Sequence, residues 1–139
     1  MSLYSDQVEA IKDILSEAPE LSNVKKVYEG DFEAIPLYPA ISVELKNRSK
    51  TTKGIGGLKD TVCTFNIWVY TNKPNYNQAL VELEDLTDQI EAVMKKHKQL
   101  NSTCDMSNLD DAAEFGVSDR GGVFLQTALL QLNTRKLGV

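Results

Sequence analysis

Few side chains of this sequence have the type and spacing that catalysis or metal binding requires. His97 is the single histidine, and it lies in the run KKHK, where a helix is expected to end and cations are favoured. Glu84, Asp88 and Glu91 recur at helical spacing, so their carboxylates could approach a metal ion. Without a His or Cys in that pattern, a solvated helix face is the simpler interpretation. Because no nucleophile, base and orienting group form a set, the sequence favours a protein that is not an enzyme.

The two cysteines and a second group of acids also lack the spacing of known metal sites. Cys63 and Cys104 lie far apart, in neither a CxxC pair nor a Cys/His set. Two reduced, structural thiols are expected, and a disulfide between them stays open. A second group of carboxylates does not fit the spacing of a calcium-binding loop; its members are Asp105, Asp110, Asp111 and Glu114. We therefore expect neither a metal nor a cofactor.

The segment with the clearest binding chemistry is KNRSKTTKGIGGLK, residues 46–59. It holds five cations, three glycines and no acid, although the whole chain has 20 acids against 15 bases. Its glycines complete neither a P-loop nor GxGxxG, so they indicate flexibility rather than a nucleotide cradle. A positive segment on an acidic chain is expected either to solubilise a hairpin tip or to contact an anionic partner. The candidate contact residues are Lys46, Arg48, Lys50, Lys53 and Lys59.

Two strand patterns flank this basic segment and must position it. Residues 40–46 alternate between apolar and polar side chains, which predicts a half-buried strand with Ser42 on its wet face. Residues 61–71 carry large apolar side chains on both faces. Trp68 and Tyr70 lie on the second face, and they need cover from another element of the chain or from another subunit.

The remaining patterns predict two helices and three further strands. Apolar residues recur every three or four positions over 3–18 and over 77–98, and the second of these helices has acids early and lysines in its last turn. A short strand is expected at 24–29. Strands at 111–117 and 123–134, joined by the turn SDRGG, are expected to form a hairpin.

These elements predict an α+β fold. Since the connections between neighbouring strands are too short for crossover helices, the sheet should be mostly antiparallel, with about four to five strands and both helices on one face. A length of 139 residues and a hydrophobic content of 42% fit a single domain, 1–139. Within it we expect an N-terminal helix and lead-in over 1–38, a core over 39–134 and a flexible loop over 46–60. The absence of a long apolar run or a secretory start predicts a cytosolic protein without membrane contact.

The order of these elements resembles the small tail terminator, or tail completion, proteins of long-tailed bacteriophages. The likeness covers about residues 39–134 and rests on YPAISVEL, the basic glycine-containing loop, TVCTFNIWVYT, NQALVELEDLTDQIEAVM and GGVFLQTALLQLNT. It implies a ring, commonly hexameric, that caps the head-proximal end of the tail tube, ends tail elongation and joins tail to head. The implied partners are further copies of the chain, the tail-tube protein and head connector proteins. The implied location is the bacterial host cytoplasm during assembly and then the virion tail.

Within this resemblance, the basic segment is expected to face genomic DNA in the ring lumen, or an acidic surface on a neighbour. A ring joins one patch of a subunit to a different patch of the next, and Trp68, Tyr70 and the helix acids Glu84, Asp88 and Glu91 are the candidate interface residues. Two alternatives within the same type of virus are a head-side connector adaptor and a tail-tube subunit. A cellular ligand-binding module with a groove over the sheet is a further alternative.

Overall fold

The computed structural model describes residues 3–30, 37–53, 56–120 and 123–138. They form two α-helices, a short 3-10 helix and six strands. The helices are α1 (Leu3–Glu17) and α2 (Tyr76–Lys95), with the 3-10 turn at Pro19–Leu21 between α1 and the first strand. The strands are β1 (Lys26–Glu29), β2 (Ala40–Lys53), β3 (Leu58–Thr71), β4 (Met106–Leu109), β5 (Glu114–Arg120) and β6 (Val123–Leu137).

The strands form one sheet in the order β1, β2, β3, β6, and β4 and β5 share the far edge of β6. All neighbouring pairs are antiparallel except β1 and β2, which are parallel. The α+β class and the mostly antiparallel sheet are therefore confirmed. The parallel pair departs from the expected pattern because the connection between β1 and β2 is longer than a hairpin turn and approaches the length that a parallel return requires.

Both helices pack on the same side of the sheet, which we term the helix face. Helix α1 forms because its apolar side chains recur at helical spacing, and α2 begins where the Asn75 side chain accepts hydrogen bonds from the amides of Asn77 (2.9 Å) and Gln78 (3.2 Å). The helix face is apolar at its centre, and its fully buried strand side chains include Val43, Cys63, Phe65, Ile67, Val69, Ala128 and Leu132. Neither helix in the described ranges is long and apolar enough to cross a membrane.

A buried polar contact fixes α1 to the sheet. Gln7 has no exposed surface. Its Oε1 accepts a hydrogen bond from the hydroxyl of Thr134 in β6 (2.8 Å), and its Nε2 donates to the carbonyl of Thr103 (3.2 Å). Thr134 is also buried. One side chain therefore links α1, β6 and the turn that follows α2.

Several predicted elements keep their type but change their ends. Helix α2 stops at Lys95 instead of residue 98, and Leu80, which the pattern places in its buried stripe, is only half-buried. Strand β5 covers 114–120 instead of 111–117, so it takes up part of the predicted SDRGG turn, while β6 continues to Leu137. Strand β4 has no counterpart in the prediction, and it brings the sheet to six strands.

The second face of the sheet, opposite the helices, is not exposed to solvent at Ser42, where the alternation predicts exposure. Ser42 is fully buried, and its hydroxyl lies 3.1 Å from the hydroxyl of Tyr70. Tyr70 is fully buried as well, in a small cluster with Ala40 and Leu125 that is flanked by Tyr38 and other half-buried aromatic side chains. The chain itself therefore covers Tyr70. The prediction of a solvent-exposed face at Ser42 is wrong, because this cluster covers the serine and Tyr70 satisfies its hydroxyl with a hydrogen bond.

Candidate binding surface

The basic segment is a β-hairpin rather than a loop. Strands β2 and β3 pair from Ala40 and Tyr70 at the base to Lys53 and Leu58 at the tip. Gly56 and Gly57 lie in the turn directly before Leu58, with φ of 95° and 77°, values that glycine adopts without strain. We term residues 47–53 and 58–64 the arm. The prediction of a flexible loop over 46–60 is wrong for the described residues, because ladder hydrogen bonds between β2 and β3 order them.

A β-bulge decides where the cations of the arm lie. Leu45 pairs with Phe65, but Asn47 pairs with Thr64, so β2 holds one extra residue, Lys46, at this point. Simple alternation would place the even-numbered residues of β2 on the second face. The bulge reverses the alternation, and beyond it Arg48 pairs with Cys63, a residue of the helix face.

Four cations consequently share the helix side of the arm. Lys50 pairs with Thr61, and Lys136 of β6 lies opposite the same threonine from the other side. Lys59 pairs with Thr52 and donates a hydrogen bond to its hydroxyl (2.6 Å). Successive rows are about 6.8 Å apart and strands about 4.8 Å apart, so the group covers about 14 Å by 10 Å. We term this group the basic face, and its members are Arg48, Lys50, Lys59 and Lys136.

Little negative charge offsets the basic face. Among the described residues, none of its four cations has a carboxylate within salt-bridge distance. Asp60 follows the basic segment directly, but it lies on the second face, where Arg135 binds it through Nε to Oδ1 (3.0 Å) and Nη2 to Oδ2 (2.6 Å). Asp105 stands next to Lys136 at one corner, and its carboxylate accepts a hydrogen bond from the amide of Leu137 (2.8 Å).

The structure separates the five predicted contact residues. Arg48, Lys50 and Lys59 come together and are exposed, whereas Lys46 occupies the bulge. The side chain of Lys53 lies outside the described part of the structure. The sequence analysis missed Lys136, which requires β6 to continue past residue 134. The segment NTRKL has four polar residues in succession, so the hydrophobic pattern does not mark this extension of β6.

The two thiols are buried beneath this region and are not bonded to each other. Burial raises the pKa of Cys63, although its hydrogen bond to Thr134 and the charge of Arg48 act in the opposite direction. Burial, with a smaller contribution from Asp105, raises the pKa of Cys104 to about 11. Both groups are therefore neutral thiols at physiological pH and unsuited to nucleophilic chemistry.

The candidate interface residues lie on two different sides of the molecule. Trp68 is half-buried on the second face, and its indole N–H donates to Glu44 Oε1 (2.9 Å). Glu84 and Asp88 are exposed on the outer side of α2, which covers the helix face. Glu91 accepts a hydrogen bond from Lys95 (2.9 Å). A single contact patch cannot include both Trp68 and these acids. Tyr70 is fully buried, so it cannot contact another subunit.

An open groove of about 460 Å³ lies beside the first turns of α2 rather than over the sheet. Amide, carboxylate and apolar side chains line it, among them Asn77, Glu82 and Val81, and the larger part of its surface is apolar. Within the described ranges, no three His, Cys, Asp or Glu side chains are grouped to hold a metal ion. The groove therefore offers hydrogen-bonding groups but no arranged catalytic set.

No protein-family model matches the chain, and no curated protein matches it. A functional proposal for it consequently rests on the fold and on the surfaces described above, together with the resemblance in element order.

Proposed function

We propose that this chain is a virion assembly protein of a tailed phage or prophage. It forms a ring that caps the head-proximal end of the tail tube, ends tail elongation and joins tail to head. The observation that carries this proposal is the arm. All residues from 46 to 52 are exposed, as are 56–59, so the end of the hairpin adds little to the core. An ordered, charged protrusion of this kind is typical of a subunit that contacts a partner.

The two edges of the sheet support a ring. Strand β1 pairs with β2 only as far as Val43, so the outer edge of β2 from Glu44 onward has no strand beside it in the described chain. At the opposite edge, β5 pairs with β6 alone, and it carries exposed Phe115 (44%) and Val117 (60%). Two different open edges on one subunit suit a head-to-tail contact, which closes into a ring when the rotation permits.

Native mass spectrometry of the purified chain tests the proposal. A single closed oligomer, of six copies or a similar number, is the expected result. A monomer at all concentrations would refute the ring. Long polymers would instead favour the tail-tube subunit, because a tube protein stacks without limit whereas a terminator stops at one ring.

Loss of the protein from a producing phage separates the terminator from the head-side adaptor. Without a terminator, tubes of irregular and excessive length are expected in negative-stain images. Without an adaptor, tails of normal length would accumulate beside unjoined heads. Normal virions in the absence of the protein would rule out both roles.

The groove beside α2 favours one second candidate, a cellular ligand-binding module. Its volume of about 460 Å³ is in the range of small-molecule sites. This candidate requires a stable monomer, so the same mass spectrum decides between the two functions.

A further inference from the structure

We infer that the basic face binds the sugar-phosphate backbone of duplex DNA, without reading its sequence. The biological setting of this inference rests on the proposed function, in which DNA passes through the ring. The surface itself belongs to the single chain, because β2, β3 and β6 of one copy supply all four cations.

The bulge at Lys46 is the first argument, because it concentrates charge on one side. Without the extra residue, Arg48 and Lys50 would lie on the second face, close to Asp60. With it, they join Lys59 and Lys136, while Arg135 holds Asp60 on the opposite face through two hydrogen bonds. The fold thus places Asp60 on the face opposite the cations, and Asp105 stands beside Lys136 at one corner of the basic face.

The composition of the basic face favours nucleic acid over an acidic protein surface. The exposed hydroxyl of Thr52 lies beside Lys59, whereas Thr61, between Lys50 and Lys136, is buried. Hydroxyls and cations are the groups that contact phosphate and sugar. Protein interfaces instead depend on buried aromatic or apolar anchors at their centre, and the described rows of the basic face contain none.

The shape of the basic face favours a duplex over a single phosphate or a single strand. The backbone positions of the four cations spread over about 14 Å by 10 Å, an area that spans several phosphates of a duplex rather than one. A duplex presents one negative charge per about 1.7 Å of its axis, so several phosphates fall within that width. Binding of single strands generally adds base stacking on aromatic side chains, and the cation-bearing rows lack such side chains.

Fluorescence anisotropy with the full chain and a labelled 30-base-pair duplex of arbitrary sequence tests this inference. Four phosphate contacts predict a slope of log affinity against log salt of about −3.6, which is about a 150-fold loss between 50 and 200 mM NaCl. A second duplex of unrelated sequence should bind equally well. No binding at 50 mM NaCl, or a strong preference for one sequence, would overturn the inference.

Lys136→Gln is the most informative variant because this residue comes from β6, outside the hairpin. It should reduce the slope to about −2.7, and Arg48→Gln, Lys50→Gln and Lys59→Gln added to it should bring the slope close to zero. Lys25→Gln is the matched control, since Lys25 is exposed beside the other edge of the sheet, and it should bind like the parent chain. Equal slopes for Lys136→Gln and the parent would contradict the assignment of β6 to the site.

Two further measurements distinguish DNA binding from binding of an acidic protein, and the DNA site from the proposed ring. If poly-L-glutamate displaces the duplex at equal charge concentration, the surface is a site for acidic protein and the inference fails. Native mass spectrometry of the fourfold variant reports the ring independently of DNA. A ring without duplex binding by the parent chain would refute only the DNA site, whereas duplex binding by a strict monomer would refute only the ring.

Discussion

Replacing Gln7 by leucine should destabilise the fold by about 2–4 kcal/mol, although leucine is apolar and close in size. The reason lies in the groups that remain. The buried Thr134 hydroxyl loses its oxygen acceptor and keeps only the weaker contact with the Cys63 sulfur, and the Thr103 carbonyl loses the donor at 3.2 Å. A buried polar group left without its partner costs about 1–3 kcal/mol. The Thr103 side of the contact is only partly buried, so the smaller end of that range applies there. Domains of this size are stable by only about 5–15 kcal/mol in total.

Urea unfolding, followed by Trp68 fluorescence and far-ultraviolet circular dichroism, measures this change. The transition midpoint should fall while the slope m stays constant, because the surface exposed on unfolding is nearly unchanged. Protein concentration must be fixed, since the proposed assembly of copies would contribute to apparent stability. Gln78→Leu is the matched control, because Gln78 is exposed, and it should change stability by less than about 0.5 kcal/mol.

A double-mutant cycle assigns the loss to the hydrogen bond itself. Thr134→Val alone should also destabilise, but Gln7→Leu combined with Thr134→Val should cost less than the sum of the two changes. The expected coupling is about 1 kcal/mol, because the second change removes the group that the first one left unsatisfied. Strict additivity, or a Gln7→Leu variant as stable as the parent, would refute the view that this contact fixes α1 to the sheet.

Two further predictions concern the thiol of Cys104 and the indole of Trp68. Burial of Cys104, with its pKa raised to about 11, makes the folded state bind its proton more tightly than the unfolded state does. Its contribution to stability should therefore be intact below about pH 9 and lost as pH rises through 11. Urea midpoints across this range should fall less for Cys104→Ala than for the parent, and an identical decline would contradict the assignment. Trp68→Ala should convert the proposed ring to monomers in light scattering without a matching loss of fold, because the indole is only partly buried on the second face; an intact ring would exclude Trp68 from the contact.

Periodicity alone was sufficient for the main elements, because α1, α2 and the paired parts of β2, β3 and β6 each have one strongly apolar side. It was insufficient for β4. That strand, MSNL, has only four residues, and its extended state depends on pairing with residues 132–135 of β6. Such pairing involves partners far away in sequence, so a local pattern does not contain it.

The bulge was hidden for a different physical reason. Beyond Leu45, both faces of β2 are polar and exposed, so alternation of hydrophobicity no longer marks which residue faces the helices. One extra residue at Lys46 therefore leaves no trace in composition, although it moves Arg48 and Lys50 to the opposite face. Ser42 was misassigned because serine is read as a solvent-facing residue, whereas its burial depends on the hydroxyl of Tyr70 in the neighbouring strand.

The central position of β6 has a consequence for the timing of assembly. This strand pairs with β3 along one edge and with β4 and β5 along the other. These three strands therefore cannot complete their pairing until residues 123–137 have left the ribosome. At a synthesis rate of about 5–20 residues per second, the hairpin cations emerge several seconds before Lys136 and the strand that carries it. A nascent chain thus has neither a complete sheet nor a complete basic face. Under the proposed function, this late completion would keep unfinished chains out of a growing particle.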